Sequence, residues 1–271
     1  KITLNKITYR VLETLGQGGF GITYKVARLT DGMIFAMKEY YRKDLCQRNP
    51  DDTIFYFDTN KDTIETGLKD FTTEAQRLGR QHISHPNIVA INEVFKANNT
   101  AYYLMEFIQG DNLLQYMQRR KNATLGVDEA LNIMRPVFQA VALLHSQKIT
   151  HYDIKHENIL LTKNGDGSLR PVLIDFGLSK HYDKNGKATS TLTGPGCSEG
   201  FAPPEQYQGL TKFTPQADVY ALAATLLYLL PGKWPVKSMD ITARRILDML
   251  PESVPHPIKN AIVKAMRKEL T

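Results

Sequence analysis

Cysteine is scarce in this sequence. Its 271 residues include two cysteines, Cys46 and Cys197. A small scaffold held by disulfides needs several pairs, so that class of protein is excluded, and two isolated thiols are typical of a reducing compartment. We therefore expect a cytoplasmic protein in which Cys46 is an ordinary packing residue. We interpret Cys197 as a residue without a chemical role, with a redox-sensitive thiol as the alternative.

Long hydrophobic runs are missing as well. The longest one, Val219 to Leu230, begins after Asp218 and ends before Pro231-Gly232. Because a helix needs about 20 apolar residues to cross a bilayer, this run predicts a buried helix, and we expect no membrane insertion within the segment. No signal peptide is visible, and since the chain begins at Lys1 without a methionine, we expect that an upstream segment has been removed.

A strong charge of one sign is also absent. The 34 lysines and arginines oppose 28 acidic residues, which gives a net charge of +6. The basic residues are scattered, with short clusters such as Arg119-Arg120-Lys121. This mild excess suits a cleft for a polyanion but falls short of a nucleic-acid-binding surface. We therefore expect no nucleic-acid partner.

Two polar loops carry the residue types of a catalytic site. The first is His151-Tyr152-Asp153-Ile154-Lys155-His156-Glu157-Asn158, and the second is Asp175-Phe176-Gly177. Between them, the apolar runs Ile159–Leu161 and Val172–Ile174 predict two short buried strands, with Thr162–Arg170 as their turn. Such a hairpin brings the two loops together at one end.

The side chains of these loops match the needs of phosphoryl transfer. Asp153 is a carboxylate that can orient a hydroxyl group and accept its proton. Asn158 and Asp175 supply the oxygen ligands that magnesium prefers. We expect the three side chains to point into one cleft, with Lys155 as a cation beside them.

A glycine-rich stretch near the start follows a predicted strand, Tyr9–Leu15. It is Gly16-Gln17-Gly18-Gly19-Phe20-Gly21, a spacing that also opens dinucleotide-binding folds. Those folds continue with a helix, whereas the β-branched run Ile22–Ala27 predicts a second strand here. In a strand–glycine–strand hairpin, backbone N–H groups can approach phosphates closely. We interpret the stretch as a phosphate-binding flap.

The rest of the chain is predicted to alternate strands and helices. An insertion over Asp44–Asp70 contains turns and a run, Thr53–Phe57, that is either an added strand or a partner-binding surface, and we interpret it as an elaborated loop. The other predicted elements are strands Ile34–Glu39, Ile88–Phe95 and Thr100–Phe107, a turn over residues 96–99, and helices at Phe71–Leu78, Leu113–Arg120, Asp128–Gln147 (with Asp128 as N-cap or first-turn acid), Ile241–Leu250 and Pro257–Leu270.

Nearly the whole chain resembles the protein kinases, with their motifs in the same order. The two polar loops resemble the kinase catalytic and metal loops, Lys38 the strand lysine, Glu74 its helix partner, Met105–Gly110 the hinge, and residues 200–205 the end of the activation segment. The residues within these motifs are most similar to those of bacterial serine/threonine kinases. The resemblance implies a two-lobed α+β fold: an N-lobe over residues 1–107 with an antiparallel sheet and one main helix, and a mostly helical C-lobe over residues 108–271, truncated at its C-terminus.

The resemblance also implies roles for individual residues. Asp153 orients the substrate hydroxyl, Lys155 offsets phosphate charge, Ser198 contacts both, and Asn158 and Asp175 bind Mg²⁺, with Mn²⁺ as an alternative. Lys38, held by Glu74, binds the α- and β-phosphates. The residues implied to contact ATP are Gly16, Gln17, Gly18, Gly19, Phe20, Gly21, Thr23, Ala36, Lys38, Glu106, Ile108, Asn112, Leu160 and Asp175.

The catalytic loop departs from the commonest kinase pattern at two positions. Tyr152 stands where most kinases have an arginine that pairs with a phosphorylated activation segment, so activation by phosphorylation of Thr189, Ser190, Thr191 or Thr193 becomes doubtful. His156 stands where most have a proline. His151 is interpreted as structural, bracing the loop against Phe176.

The sequence therefore predicts a serine/threonine protein kinase that uses ATP and acts on protein substrates. Two alternatives stay open. A pseudokinase scaffold would usually have lost Lys38, Asp153 or Asp175, and all three are present. A small-molecule phosphotransferase shares the core, but Gly200–Glu205 and Asp218 favour a peptide-binding segment. The oligomeric state is open.

Overall fold

The computed structural model of the protein describes residues 2–4, 6–19, 21–80, 83–176, 178–182, 198–207 and 214–267. The chain divides into two compact units. The first comprises Lys1–Ser84 and Val89–Ile108, and the second His85–Ile88 and Gln109–Thr271. The sequence-based boundary between residues 107 and 108 remains a prediction.

The first unit is built on a six-stranded antiparallel sheet in the order β1-β2-β3-β4-β8-β7. A separate two-stranded ladder, β5–β6, lies within the insertion. One apolar cluster of the sheet includes Tyr9, Val26, Met37 and Tyr102. The elements are β1 Ile2–Leu4, β2 Ile7–Gly18, β3 Gly21–Arg28, β4 Ile34–Tyr40, β5 Gln47–Arg48, β6 Ile54–Phe55, α1 Lys61–Arg80, β7 Ile91–Ala97 and β8 Thr100–Glu106.

Helix α1 is longer than the sequence analysis predicted. Turns and a loop were expected over Asp44–Asp70, but a short 3-10 helix at Asp58–Asn60 leads directly into α1 at Lys61. The reason is that Ile64 and Leu68 extend the apolar face of the helix by two further turns. The interpretation of Asp44–Asp70 as a loop is therefore wrong for its second half, and in the first half the alternative of an added strand within Thr53–Phe57 is confirmed at Ile54–Phe55.

The start of β7 also differs from the prediction, because residues 85–88 belong to the second unit. Asn87 donates from Nδ2 to the Pro171 carbonyl (2.6 Å) and accepts the Leu173 N–H at its own carbonyl (2.8 Å). These bonds hold the segment beside the catalytic hairpin, so β7 begins at Ile91 and not at Ile88. The turn that follows β7 is tight, with positive φ at Asn98 and Asn99 (52° and 58°).

The second unit is mostly helical, and its hairpin β11–β12 confirms the predicted strands between the two polar loops. Helix α3 begins after Gly126, so Asp128 is a first-turn acid and the alternative that it is the N-cap is wrong. The predicted end of the last helix near Leu270 lies outside the described residues. The elements are β9 Asp111–Asn112, α2 Leu113–Gln118, α3 Val127–Ser146, β10 Ile149–Thr150, β11 Ile159–Lys163, β12 Leu169–Leu173, β13 Lys180–His181, α4 Pro204–Tyr207, α5 Gln216–Leu229, α6 Ala243–Met249 and α7 His256–Ala265.

Helix α5 is the buried helix that the longest hydrophobic run predicted. Almost every residue from Ala217 to Leu229 is buried, including Asp218 in the first turn. Gly232 follows with φ of +66°, and a Cβ there would lie 1.7 Å from the Ala123 carbonyl oxygen, so only glycine fits. Within the described ranges, no helix is both long and apolar enough to cross a membrane.

Candidate active site

Asp218 fixes the backbone at the start of the catalytic loop. Its carboxylate is fully buried and accepts the N–H groups of His151 (2.8 Å) and Tyr152 (2.9 Å). His145, near the end of α3, places Nε2 at 2.8 Å from the same carboxylate. Three donors compensate the loss of hydration at this anion. Sequence reasoning missed His145, whose only signal was its place in the last helical turn before the loop.

His151 joins the two polar loops and is neutral. Its Nδ1 accepts the Asp153 N–H (3.2 Å), so the proton lies on Nε2, which donates to the Ile174 carbonyl (3.1 Å). Burial lowers the pKa of this imidazole. Its ring centroid lies 4.8 Å from that of Phe176, which confirms the predicted bracing contact.

Asp153 lies at the centre of a hydrogen-bonded cluster. Ser198 donates from Oγ to Asp153 Oδ1 (2.7 Å), and Lys155 donates from Nζ to Ser198 Oγ (2.8 Å). Lys155 Nζ also lies 3.3 Å from Asp153 Oδ1. The structure thus brings together the three residues that the sequence assigned to the transfer step. We call Asp153, Lys155, Asn158 and Ser198 the catalytic cluster.

Asn158 completes the catalytic cluster and has an oxygen suited to a metal. Its Nδ2 donates to the Asp153 carbonyl (2.7 Å) and to Asp153 Oδ2 (2.8 Å), which orients the amide and directs Oδ1 elsewhere. Its carbonyl accepts the Ile174 N–H (2.9 Å), so it also reaches the second loop. Asp175 follows with φ of +62°, a conformation that costs free energy and is common at active sites. An amide oxygen and a carboxylate are hard donors that fit Mg²⁺.

Tyr152 occupies the position where the kinase resemblance implies an arginine. Its side chain is buried beside Ala217, Leu178 and Tyr182, and burial raises the pKa of its hydroxyl. Its φ is +65°. An uncharged ring in an apolar cluster cannot pair with a phosphate, so the doubt about activation by that route acquires a structural basis.

His156 lies in a box of aromatic rings. Its centroid is 4.8 Å from Phe201, 4.5 Å from Tyr228 and 4.6 Å from Trp234. The side chain is fully buried, and neither ring nitrogen has a hydrogen-bond partner among the described residues. Burial, with a smaller contribution from Lys155, lowers the pKa of His156 to about 4.

The glycine-rich stretch of the first unit forms the predicted hairpin. Gly18 pairs with Gly21 across the turn. A Cβ at Gly21 would lie 2.4 Å from the Glu39 carbonyl oxygen, so that position accepts only glycine, whereas a Cβ at Gly16, Gly18 or Gly19 would meet nothing within 4 Å. That open backbone suits the approach of phosphates. Gln17 lies in β2, and Phe20 lies outside the described residues.

Lys38 and Glu74 are both buried, at 6% and 4% exposure, although Lys and Glu rarely are. Arg77 Nη1 lies 3.5 Å from Glu74 Oε1. Thr23 is the strand partner of Lys38, and Ala36 lies buried two residues before it on the same face of β4. The ion pair between Lys38 and Glu74 remains a prediction.

A second buried carboxylate, Glu39, was not identified from the sequence. It accepts hydrogen bonds from the hydroxyls of Tyr24 (2.8 Å) and Tyr102 (2.7 Å), and Arg48 of the insertion donates to both of its oxygens. The insertion therefore anchors β3, β4 and β8 through one ion pair. Alternation along β4 predicts only that Glu39 and Lys38 face opposite sides of the sheet. It does not identify Arg48, nine residues further along the chain and outside β4, as the partner of Glu39.

The remaining predicted ATP contacts are placed as follows. Glu106 donates its N–H to the Ala90 carbonyl (3.0 Å), so this donor is already used. Ile108 is buried at the end of the first unit. In the second unit, Asn112 pairs with Leu160, and its side chain caps α2 by accepting the Gln115 N–H (2.8 Å). The contact of Asn112 with ATP remains a prediction.

Some predicted positions lie outside the described residues. They are Gly177, Thr189, Ser190, Thr191, Thr193 and Cys197.

A comparison with family profiles identifies the chain. The Protein kinase domain family matches residues 9–268. The chain therefore belongs to the protein kinase family, as the sequence predicted.

Curated relatives are similar over most of this chain. The Probable serine/threonine-protein kinase PknB of Lactococcus lactis is 28% identical over 97% of the chain and 39% of its own length. Serine/threonine-protein kinase B of Synechocystis sp. is 32% identical over 87% of the chain and 38% of its own length. The chain thus spans less than half the length of these relatives.

Solved structures share the fold. The apo form of PpkA-294 has a TM-score of 0.74 and 27% identity, covering 96% of this chain and 90% of that one. The PknI kinase domain of Mycobacterium tuberculosis has a TM-score of 0.67 and 22% identity, covering 96% and 88%. The predicted kinase fold is confirmed.

Proposed function

We propose that this domain transfers the γ-phosphoryl group of ATP to serine or threonine hydroxyls of protein substrates. The observation that carries the proposal is the catalytic cluster, in which Asp153 contacts Ser198, Lys155 and Asn158 within 3.3 Å. The names of relatives in Lactococcus and Synechocystis support serine/threonine specificity.

Asp153 orients the substrate hydroxyl and accepts its proton. The hydroxyl oxygen forms a bond to the γ-phosphorus while the bond from that phosphorus to the bridging oxygen breaks, and ADP leaves. Lys155 offsets negative charge on the phosphoryl group in transit. Ser198 holds Asp153 and Lys155 at a fixed separation, so that little reorganisation is needed at the moment of reaction.

Asn158 and Asp175 are the residues that would hold magnesium, or manganese as the alternative. The ion would neutralise phosphate charge as a Lewis acid. Lys38, with Glu74, binds the α- and β-phosphates, and the glycine-rich hairpin presents backbone N–H groups to them. The adenosine contacts assigned from the resemblance belong to the same proposal. ATP and magnesium are abundant in the cytoplasm, where we place the domain.

Phosphate transfer tests the proposal directly. The protein is incubated with Mg-ATP and a serine- and threonine-containing protein such as casein, and the modified residues are identified by mass spectrometry. We expect phosphoserine or phosphothreonine. Aminoglycosides and sugars serve as alternative acceptors. Transfer to these small molecules with none to protein would contradict the proposal, and so would ATP binding with no transfer to any acceptor, which is the behaviour of a scaffold.

A further inference from the structure

A cavity of about 570 Å³ adjoins the catalytic cluster. Lys155 and Ser198, two members of that cluster, form part of its wall. A peptide whose hydroxyl is held at Asp153 therefore has its neighbouring residues at the mouth of this cavity. We call it the Trp234 pocket, after the residue that contributes its largest exposed ring.

The apolar part of the wall consists of Phe201, Trp234, Pro235 and Val236. Trp234 is 57% exposed, which is unusual for so large an apolar side chain. Its ring is nevertheless held in place, since its centroid lies 4.6 Å from His156, 5.7 Å from Phe201 and 6.0 Å from Tyr228. An indole fixed in this way loses little conformational entropy when a ligand packs on it.

The charges of the pocket balance one another. Lys155 Nζ lies 3.6 Å from Glu157, and Lys237 Nζ lies 2.8 Å from Glu199. The remaining two charged residues, Asp240 and Arg245, are of opposite sign, and the Arg245 guanidinium already donates to the backbone carbonyl of Asp240 (2.9 Å). A charged substrate side chain would have to compete with an existing partner at either ion pair and at Arg245. Apart from the Asp240 carboxylate, the surface that remains available without such competition is formed mainly by the apolar side chains Phe201, Trp234, Pro235 and Val236.

We infer that the Trp234 pocket receives a large apolar side chain of the protein substrate, close in sequence to the phosphorylated serine or threonine, and that Trp234 determines this preference. The inference rests on the proposed function. Packing against the indole stabilises the reacting complex, so a peptide with leucine or phenylalanine at the position that reaches the pocket has a higher kcat/KM than its alanine counterpart, by about tenfold.

A positional peptide series tests the inference. Each peptide carries one serine in an alanine and glycine background, with leucine, phenylalanine, arginine or glutamate placed singly at each of three positions before and after the serine. Wild type, Trp234→Ala and Leu247→Ala are assayed with Mg-ATP. Leu247 is a matched control, being an exposed apolar residue outside the pocket. We expect Trp234→Ala to abolish the tenfold preference at one position, and Leu247→Ala to retain it.

The ratio of kcat/KM for apolar and alanine peptides is measured on one enzyme preparation, so partial misfolding of a variant cancels. A preference for arginine or glutamate, no preference at all, or a preference that survives Trp234→Ala overturns the inference and leaves the proposed function intact. Failure of wild type to phosphorylate any peptide or protein counts instead against the proposed function. Trp234→Phe, which keeps an aromatic ring, is expected to retain most of the preference.

Discussion

The two ends of the catalytic loop have opposite chemistry. At the first end, His151 has both ring nitrogens hydrogen-bonded, and the backbone N–H groups of His151 and Tyr152 are bound by Asp218. At the second end, His156 is equally buried but lies among aromatic rings with no hydrogen-bond partner in the described part of the chain. The difference shows that the same residue type fixes one end by hydrogen bonds and the other by packing alone.

This difference has an energetic meaning. Satisfied buried polar groups are costly to remove because their partners are left unpaired, whereas an unsatisfied buried group costs free energy as long as it stays. The loop is therefore held by hydrogen bonds where Asp153 must be positioned. The end that His156 occupies depends on the fit of Phe201, Tyr228 and Trp234 around it.

Removing the Asp218 carboxylate, which binds the first end of the catalytic loop, should lower the free energy of unfolding the most. In Asp218→Ala, two backbone N–H groups and His145 lose their acceptor inside the protein, and we expect the free energy of unfolding to fall by about 3–5 kcal/mol. Urea denaturation measures this. Asp166→Ala is the control, since that carboxylate lies in the exposed turn between β11 and β12, and it should cost under about 1 kcal/mol. Equal losses in the two variants would contradict the account.

Replacing His151 or His156 by phenylalanine should change the free energy of unfolding in opposite directions. His151→Phe leaves the Asp153 N–H and the Ile174 carbonyl unpaired, and we expect a loss of about 2–3 kcal/mol in the free energy of unfolding. His156→Phe removes two buried nitrogens without partners, and we expect a gain of about 1 kcal/mol. Thermal and urea unfolding of both variants give the comparison. A loss from His156→Phe as large as that from His151→Phe would show that the rings require an imidazole.

Lowering the pH should reduce the stability of the wild-type protein through the protonation of His156. Its pKa falls from 6.5 to about 4 on folding. Between these values the unfolded chain binds the proton and the folded protein does not, so stability is fully present above pH 6.5 and is lost as pH falls towards 4, by roughly 3 kcal/mol at most. Unfolding of wild type and His156→Phe at pH 7.5, 6, 5 and 4.5 measures the loss. The stability difference between the two proteins should widen in favour of the variant as pH falls, and a constant difference would refute the assignment.

Periodicity and motif order were sufficient to predict five of the six strands in the sheet of the first unit, the catalytic hairpin and the buried helix α5, whereas the three-residue strand β1 was not predicted. They placed Asp153, Lys155 and Ser198 together because the resemblance to kinases fixes how the loops fold back on each other. Alternation and turn residues alone would have left Ser198, 45 residues from Asp153, without an assigned neighbour.

Contacts that are distant in the chain and specific to it were beyond prediction. Arg48 reaches Glu39 from the insertion, and His145 reaches Asp218 from the end of α3. Such pairs depend on the tertiary path of the chain and leave no local pattern. The aromatic box was missed for the same reason, since Phe201, Tyr228 and Trp234 come from three separate segments around His156.

The proton-accepting role of Asp153 is the central claim, and a comparison of turnover with ATP affinity tests it most directly. The kcat for protein phosphorylation and the Kd for Mg-ATP are measured for wild type, Asp153→Ala and Asp248→Ala, which removes an exposed carboxylate on α6. We expect Asp153→Ala to lower kcat by about a thousandfold or more, with Kd for ATP changed less than about threefold, and Asp248→Ala to match wild type. A kcat of Asp153→Ala within tenfold of wild type would contradict the account.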